Sequence, residues 1–281
     1  MKKTRLVLKK KFVIMLMVFF LSLGIYSFAK IILWYKDSLV TEEKINELND
    51  KTDIVEVKDS EKTQIVNAEL SENIDKSNPY WDYIKMNLMD VSFDKLKQEN
   101  PDVVGWIKVN GTNINYPFLQ TKNNTDYLKK DFNKKYNSAG WVFLDYRNDI
   151  KNFSKNTIIY AHGRVDGTMF GSLKNIMKSS WYNNLDNHIV KLSTEYENTL
   201  WQVFSIYKIP TTSDYLQIDF NSSSNYLEFL NMLKERSTFS FDAVLNEEDK
   251  ILTLSTCSND DGRVVLHAKL IKKEIKNNGS N

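Results

Sequence analysis

Cysteine is nearly absent from this 281-residue chain: there is one. A single Cys excludes an internal disulfide framework and a Cys-rich zinc site. Four prolines and nine glycines are too few for collagen-like or Pro/Gly low-complexity sequence. Charge excess is missing too. The formal net charge is +2, which argues against a dedicated nucleic-acid binder. There is no Gly-rich phosphate loop, no HExxH, no GxSxG and no internal repeat. What is present is apolar. With 42% hydrophobic and 12% aromatic residues the chain is not wholly disordered and has ample material for a core.

Negative charge is absent from one end. Residues 1–36 carry eight Lys/Arg and no Asp/Glu. Lys2, Lys3, Arg5, Lys9, Lys10 and Lys11 precede an apolar run that starts at Phe12 and resumes after Lys30. Residues 12–35 span roughly 36 Å as a helix, against a hydrocarbon core of about 30 Å. Trp34 and Tyr35 suit the interface, and Lys30 can snorkel to it. This predicts a basic cytoplasmic tail over 1–11, a transmembrane signal-anchor over 12–35 and the remainder outside the cell membrane. The competing reading is a signal peptide cut after Ser27-Phe28-Ala29. Resumption of the apolar run favours the anchor, and both readings export the rest.

Residues 36–78 change character. From Asp37 onward they hold twelve Asp/Glu, five Lys and no aromatic residue, which predicts an acidic, solvated stalk, partly helical over 42–48. Aromatics return at Tyr80-Trp81. The folded domain is expected over 79–275, followed by a disordered tail over 276–281. Its start reads as two helices, Tyr80 to Met89 and one capped by Ser92 that ends before Pro101. Strands follow at 103–109, 112–119 (around an Asn110-Gly111 turn), 141–144, 157–162, 188–192, 199–208, 251–257 and 263–271. Helical insertions fall at 169–177 and 226–236. About eight strands with sparse helices predict a mainly β fold: an eight-stranded, closed or nearly closed β-barrel with helices on its periphery.

Cys257 ends the strand Ile251-Leu252-Thr253-Leu254-Ser255-Thr256-Cys257. Alternation puts Cys257, Ser255, Thr253 and Ile251 on one face, which turns polar toward its end. A small buried hydrophobe, an intermolecular disulfide and a nucleophile are all open readings of a lone Cys. A nucleophile works as thiolate and needs a nearby base or cation. Of three His, His188 reads as a surface residue and His267 as an outward-facing structural one. His162 ends the strand Thr157–His162 before Gly163, where it either caps the strand or presents an acid or base. Arg263 opens the strand after Cys257. It either pairs with Asp260 or Asp261, or offers its fixed donors to an oxyanion. Asp145 and its neighbours read as turn chemistry.

Four segments in order around the Cys resemble the class B sortases. They are Pro101–Ile107 with Asn115-Tyr116-Pro117, Asn156–Gly163, Gly167–Leu173, and Thr253-Leu254-Ser255-Thr256-Cys257 followed by Arg263. The resemblance covers roughly residues 80–275 plus the anchor. It implies a sortase-like barrel with N-terminal helices and a helix in the long loop before the Cys strand. It further implies a membrane-anchored cysteine transpeptidase with His162, Cys257 and Arg263 as catalytic set, and no metal or organic cofactor. Thr211, Tyr215 and Leu216 fall where that family's loop lines the substrate groove, and Ser255, on the Cys257 face, is placed to add a substrate hydrogen bond. The implied partners are exported proteins bearing a C-terminal sorting motif of Asn-Pro-x-Thr type and an amine of the peptidoglycan precursor or wall. A pilus-type sortase and a non-catalytic tethered scaffold are the alternatives. The chain departs from the pattern in a short Cys-to-Arg connection and in Ala161, where members often carry Gly.

Overall fold

The computed structural model describes residues 10–66, 74–257 and 262–276, with Cys257 described by its main chain only. The elements run α1 (Lys10–Lys51), β1 (Ile54–Val57), β2 (Thr63–Ile65), α2 (Tyr80–Tyr83), β3 (Leu88–Val91), α3 (Asp94–Glu99), β4 (Val103–Val109) and β5 (Asn115–Leu119). They continue with β6 (Phe143–Leu144), β7 (Asn156–His162), α4 (Ser179–Tyr182), β8 (Ile189–Thr194), β9 (Glu197–Ile209), α5 (Ser223–Glu235), β10 (Ile251–Cys257) and β11 (Arg263–Ile275).

Eight of the strands close a ring in the order β10-β7-β6-β5-β4-β8-β9-β11, with β11 returning to β10. The predicted mainly β, eight-stranded barrel is thus what the chain forms. The β10–β7 and β5–β6 pairs are parallel and the other ring pairs antiparallel. Gly111, at φ +69°, makes the predicted turn between β4 and β5, a conformation that favours glycine.

Apolar side chains fill the barrel, among them Phe118, Trp141, Ile158, Leu192, Leu252, Leu254 and Leu266. A second layer lies outside it. Ser222 caps α5 by accepting from Asn225 N, and Tyr226, Phe229, Leu230 and Leu233 form one helical stripe. That stripe packs on Phe204, Tyr207, Ile251 and Val265. Each large apolar side chain buried this way contributes about 1.5–3 kcal/mol.

The outer layer corrects two readings. His267, expected to face outward, is fully buried between Tyr207 and Thr253, because α5 and its flanking loop cover that face. His188, read as a surface residue, is also buried. Its Nε2 lies 2.8 Å from Tyr182 O and its Nδ1 3.1 Å from Tyr83 Oη, amid Tyr182, Trp181 and Phe241.

The N-terminal region also differs from expectation. The helix expected over residues 80–89 stops at Tyr83, and β3 pairs antiparallel with β1. In place of a solvated stalk, α1 runs unbroken to Lys51 and β2 joins β11. A narrow stripe explains it. Ser38, Thr41, Ile45 and Leu48 recur at helical spacing and turn onto the barrel, while Glu42, Glu43, Glu47 and Asp50 face water. Averaged composition hides such a stripe. The α3 helix starts at Asp94 without a side-chain cap from Phe93, one residue past the expected Ser92 cap. The insertion at 169–177 is a 3-10 turn over Gly171–Met177.

Of the tail over 276–281, Lys276 is described and pairs with Asp90 at 2.6 Å. Residues 277–281, and 1–9 of the basic tail, lie outside the described residues.

Candidate active site

The site forms where β7 and β10 end side by side. In this parallel pair each residue has one partner, and the last is Cys257 with His162. Neighbouring strands lie about 4.8 Å apart, so the two backbones meet at the same level. Thr157-Ile158-Ile159 makes β7 a buried central strand, and the chain leaves it at His162 into Gly163. His162 is half-buried. Its Nε2 lies 2.8 Å from the carbonyl oxygen of Leu128. A carbonyl only accepts, so Nε2 carries the hydrogen and the neutral ring has its lone pair on Nδ1.

Arg263 opens β11 opposite Ile209. Its Nη1 donates to Tyr215 Oη at 3.0 Å, and Tyr215 Oη lies 2.9 Å from Ser255 Oγ. The guanidinium is therefore fastened to the Cys strand two residues before Cys257. Just before it, Gly262 sits at φ +85° with a Cβ position only 2.7 Å from Ile209 O. Only glycine fits there without strain, and it lets the chain enter β11 beside β9. The connection 258–261 lies outside the described residues.

A cavity of about 520 Å³ lies beside these groups, lined by His162, Gly163, Arg164, Phe170, Lys174, Lys208, Thr256 and Trp34 of α1, among others. Among the described residues its lining holds three cationic side chains and no carboxylate. Thr256 faces it and accepts a hydrogen bond from Val264 N at 2.9 Å, which extends the β10–β11 pairing toward the site. Among the described residues, no group of three or more His, Cys, Asp or Glu stands together as a metal site would require.

The sequence-predicted residues separate into two sets. His162, Cys257, Arg263, Ser255 and Tyr215 come together. Ser255 and Tyr215 are fully buried and bridge to Arg263, so neither presents surface to a ligand. Thr211 is exposed in the loop after β9. Leu216 is half-buried and touches both apolar layers. Two contributors escaped sequence reasoning. The Leu128 carbonyl is a backbone acceptor, which no residue type announces. Asp145 is fully buried, bound to Arg147 at 2.8 Å and to the hydroxyl of Tyr160 at 3.0 Å, so it is more than a turn residue.

Comparison with known proteins now bears on the geometry. A sortase-domain family profile matches residues 107–271. Sortase B of Staphylococcus aureus is 41% identical over 184 residues, 64% of this chain and 75% of that protein. The chain belongs to the sortase family, in its B class. The structure of a Staphylococcus aureus sortase B–substrate complex superimposes with a TM-score of 0.61 at 40% identity, covering 64% of this chain and 84% of that one. Sortase B of Bacillus anthracis, in complex with AAEK1, gives 0.65 at 32% identity over 86% of this chain and 99% of that one. This sortase is a class B cysteine transpeptidase with the barrel of its relatives. Its α1 is the one helix among the described residues that is long and apolar enough to cross a membrane.

Proposed function

We propose that this sortase cleaves a C-terminal sorting motif of exported proteins and transfers them to a cell-wall peptidoglycan amine. The Cys257 thiol passes its proton to Nδ1 of His162, and the thiolate so formed attacks the carbonyl carbon of the scissile peptide bond. That C–N bond breaks, His162 protonates the leaving amine, and an acyl-thioester remains on Cys257. The acceptor amine attacks the thioester and gives its proton to His162 as the new C–N bond forms and the C–S bond breaks. Arg263 binds the negative oxygen that develops in both steps.

The observation that carries this reading is the pairing of His162 with Cys257 at the ends of two parallel strands, with Arg263 fastened to the same Cys strand. Tyr215 and Ser255 then serve by holding Arg263. Thr211 and Leu216, at substrate-groove positions of the family pattern, contact the sorting peptide. Residues 12–35 anchor the protein in the membrane with the basic end in the cytoplasm and the barrel outside. An Asn-Pro-x-Thr type motif is the expected substrate.

The test uses the purified full-length chain in detergent micelles with a pool of Asn-Pro-x-Thr peptides and mass spectrometry of the protein. The expected result is cleavage with a mass increase equal to the acyl fragment. Cys257→Ala and His162→Ala should abolish cleavage while the thermal midpoint holds. Arg263→Lys should fail as well, because a point charge lacks the guanidinium fork. Normal turnover by Cys257→Ala would refute the mechanism.

A further inference from the structure

Two segments orient His162. One is the loop 163–170, whose neck closes on it: Phe170 N donates to His162 O at 3.0 Å, and Gly163 bridges Met169. The other is the segment that supplies Leu128 O to the imidazole. There Asn137 N donates to Lys129 O at 3.0 Å, and Lys130 bridges Tyr136.

Both segments are tied to the same turn of α1, just beyond its membrane-crossing part. Ser38 Oγ accepts from Arg164 Nη2 at 2.5 Å and donates to Asp166 Oδ2 at 2.7 Å, while Arg164 Nε also donates to Asp166 at 3.0 Å. The Arg164 guanidinium lies over the Trp34 ring, 5.0 Å from its centre. On the other side, Asp37 Oδ2 accepts from Ser138 N at 3.0 Å and from Ser138 Oγ at 2.6 Å, and Thr41 Oγ1 accepts from Asn137 Nδ2 at 3.1 Å.

These are not rim contacts. Ser38, Thr41, Asn137 and Arg164 are all buried. Burying an ion pair costs several kcal/mol per charge unless the geometry is well satisfied, so the contact is specific rather than incidental. Burial pushes the Asp166 carboxyl up, but Arg164, Thr168 and Ser38 outweigh it and hold it down at about 2. Trp34, the one tryptophan of the apolar segment, also lines the cavity that contains His162.

We infer that Asp37 and Ser38 of the membrane helix are positioning residues for His162, acting through Ser138 on one side and Arg164 with Asp166 on the other. The inference rests on the proposed acid–base role of His162. Because α1 is one continuous helix, the rod that leaves the membrane also sets the imidazole against β10. The anchor is then part of the active site and not merely a tether.

A double-mutant cycle in the full-length chain, in detergent micelles, tests this. The chain has one Cys, so iodoacetamide labels a single thiol, and its rate against pH reports the surroundings of Cys257. The proteins are the parent, Asp37→Ala/Ser38→Ala, His162→Ala and the triple variant. The double variant should move the alkylation profile part of the way toward that of His162→Ala, and the triple variant should match His162→Ala within twofold. With the Asn-Pro-x-Thr peptide pool, kcat of the double variant should fall about tenfold with KM within twofold, the scale expected for a displaced catalytic group. Ser38→Thr, which keeps the hydroxyl, should recover most of the kcat lost in Ser38→Ala.

A parental profile in the double variant would overturn the inference and leave the function reading intact. So would an equal further shift when the two changes are added to His162→Ala, since a general loss of structure adds and an effect through His162 does not. An unchanged profile in His162→Ala would overturn both readings together. If the double variant does not fold by circular dichroism, Ser38→Ala alone enters the same cycle with the same criteria.

Discussion

Acidification from pH 7.5 to 5 should cost this fold about 2 kcal/mol through His267 alone. The imidazole is fully buried between β10, β9 and the outer apolar layer. Thr253 Oγ1 has one hydrogen and spends it on Asn156 Oδ1 at 2.6 Å, so it accepts from His267 Nδ1 at 2.9 Å. Nε2 must then accept from Tyr207 Oη at 2.8 Å. The neutral ring is fully satisfied, and a second ring proton on Nε2 would force Tyr207 Oη to turn its own hydrogen away. Burial pushes the pKa down to about 3, and the charge of Arg236 pushes the same way. In the unfolded chain the ring takes a proton below about pH 6.5, whereas in the native state it does not. The unfolded state therefore gains protons first, and stability falls as pH drops below 6.5, by up to about 1.4 kcal/mol per pH unit. One and a half units give about 2 kcal/mol, or a midpoint shift of about 4–8 °C for a domain of this size. His188, whose pKa is also lowered by burial, adds to the loss, while Glu197, raised by burial, opposes it toward lower pH. Both cancel in a comparison with His267→Gln. The measurement is thermal unfolding of parent and variant at pH 7.5 and pH 5 in the same detergent. The variant should start lower at pH 7.5 and lose about 2 kcal/mol less on acidification. Equal losses in the two proteins, or a His267 proton resonance that titrates near pH 6.5, would refute the reasoning.

Three further outcomes follow from the site and the core. Tyr215→Phe removes the hydroxyl that joins Arg263 to Ser255, worth about 1 kcal/mol, and should lower kcat/KM of peptide cleavage roughly fivefold without shifting the thermal midpoint by more than a few degrees. Gly262→Ala meets both a left-handed φ and the Ile209 carbonyl; steady-state cleavage should drop and urea unfolding should show a loss of about 1–3 kcal/mol. Leu254→Ala opens a cavity in the closed barrel, and urea unfolding should report about 2–5 kcal/mol.

The strands of the barrel and the position of the site were legible because their signals are local. The run Thr157–His162 and the run Ile251–Cys257 are each long enough, and bounded clearly enough, to be read as strands that deliver a chemical group at their end. The Asn110-Gly111 turn was legible for the same reason, and the Tyr226–Leu233 stripe declares its own period. The helix expected through Met89 failed because Leu88–Val91 takes its form from a partner, β1, more than thirty residues away. His267 was misplaced because it faces outward from its strand and is buried only by the outer layer, and His188 because it ends the 3-10 turn before β8 and is covered in part by Tyr83 and Phe241 from far along the chain. Tyr215 and Ser255 were correctly singled out, but their buried link to Arg263 depends on three elements meeting.

By itself the sequence determined the class of the fold, the apolar segment able to cross a membrane, and the residue types able to do acyl transfer, because periodicity and side-chain chemistry are properties of short stretches. Tertiary structure alone decided which groups meet. It set Cys257 against His162 by strand register and tied Arg263 to the Cys strand through Tyr215. It also laid the part of α1 beyond its apolar stretch onto the barrel, where Asp37 and Ser38 reach the loops around His162. Such contacts join residues separated by up to 128 positions, and no local pattern encodes them.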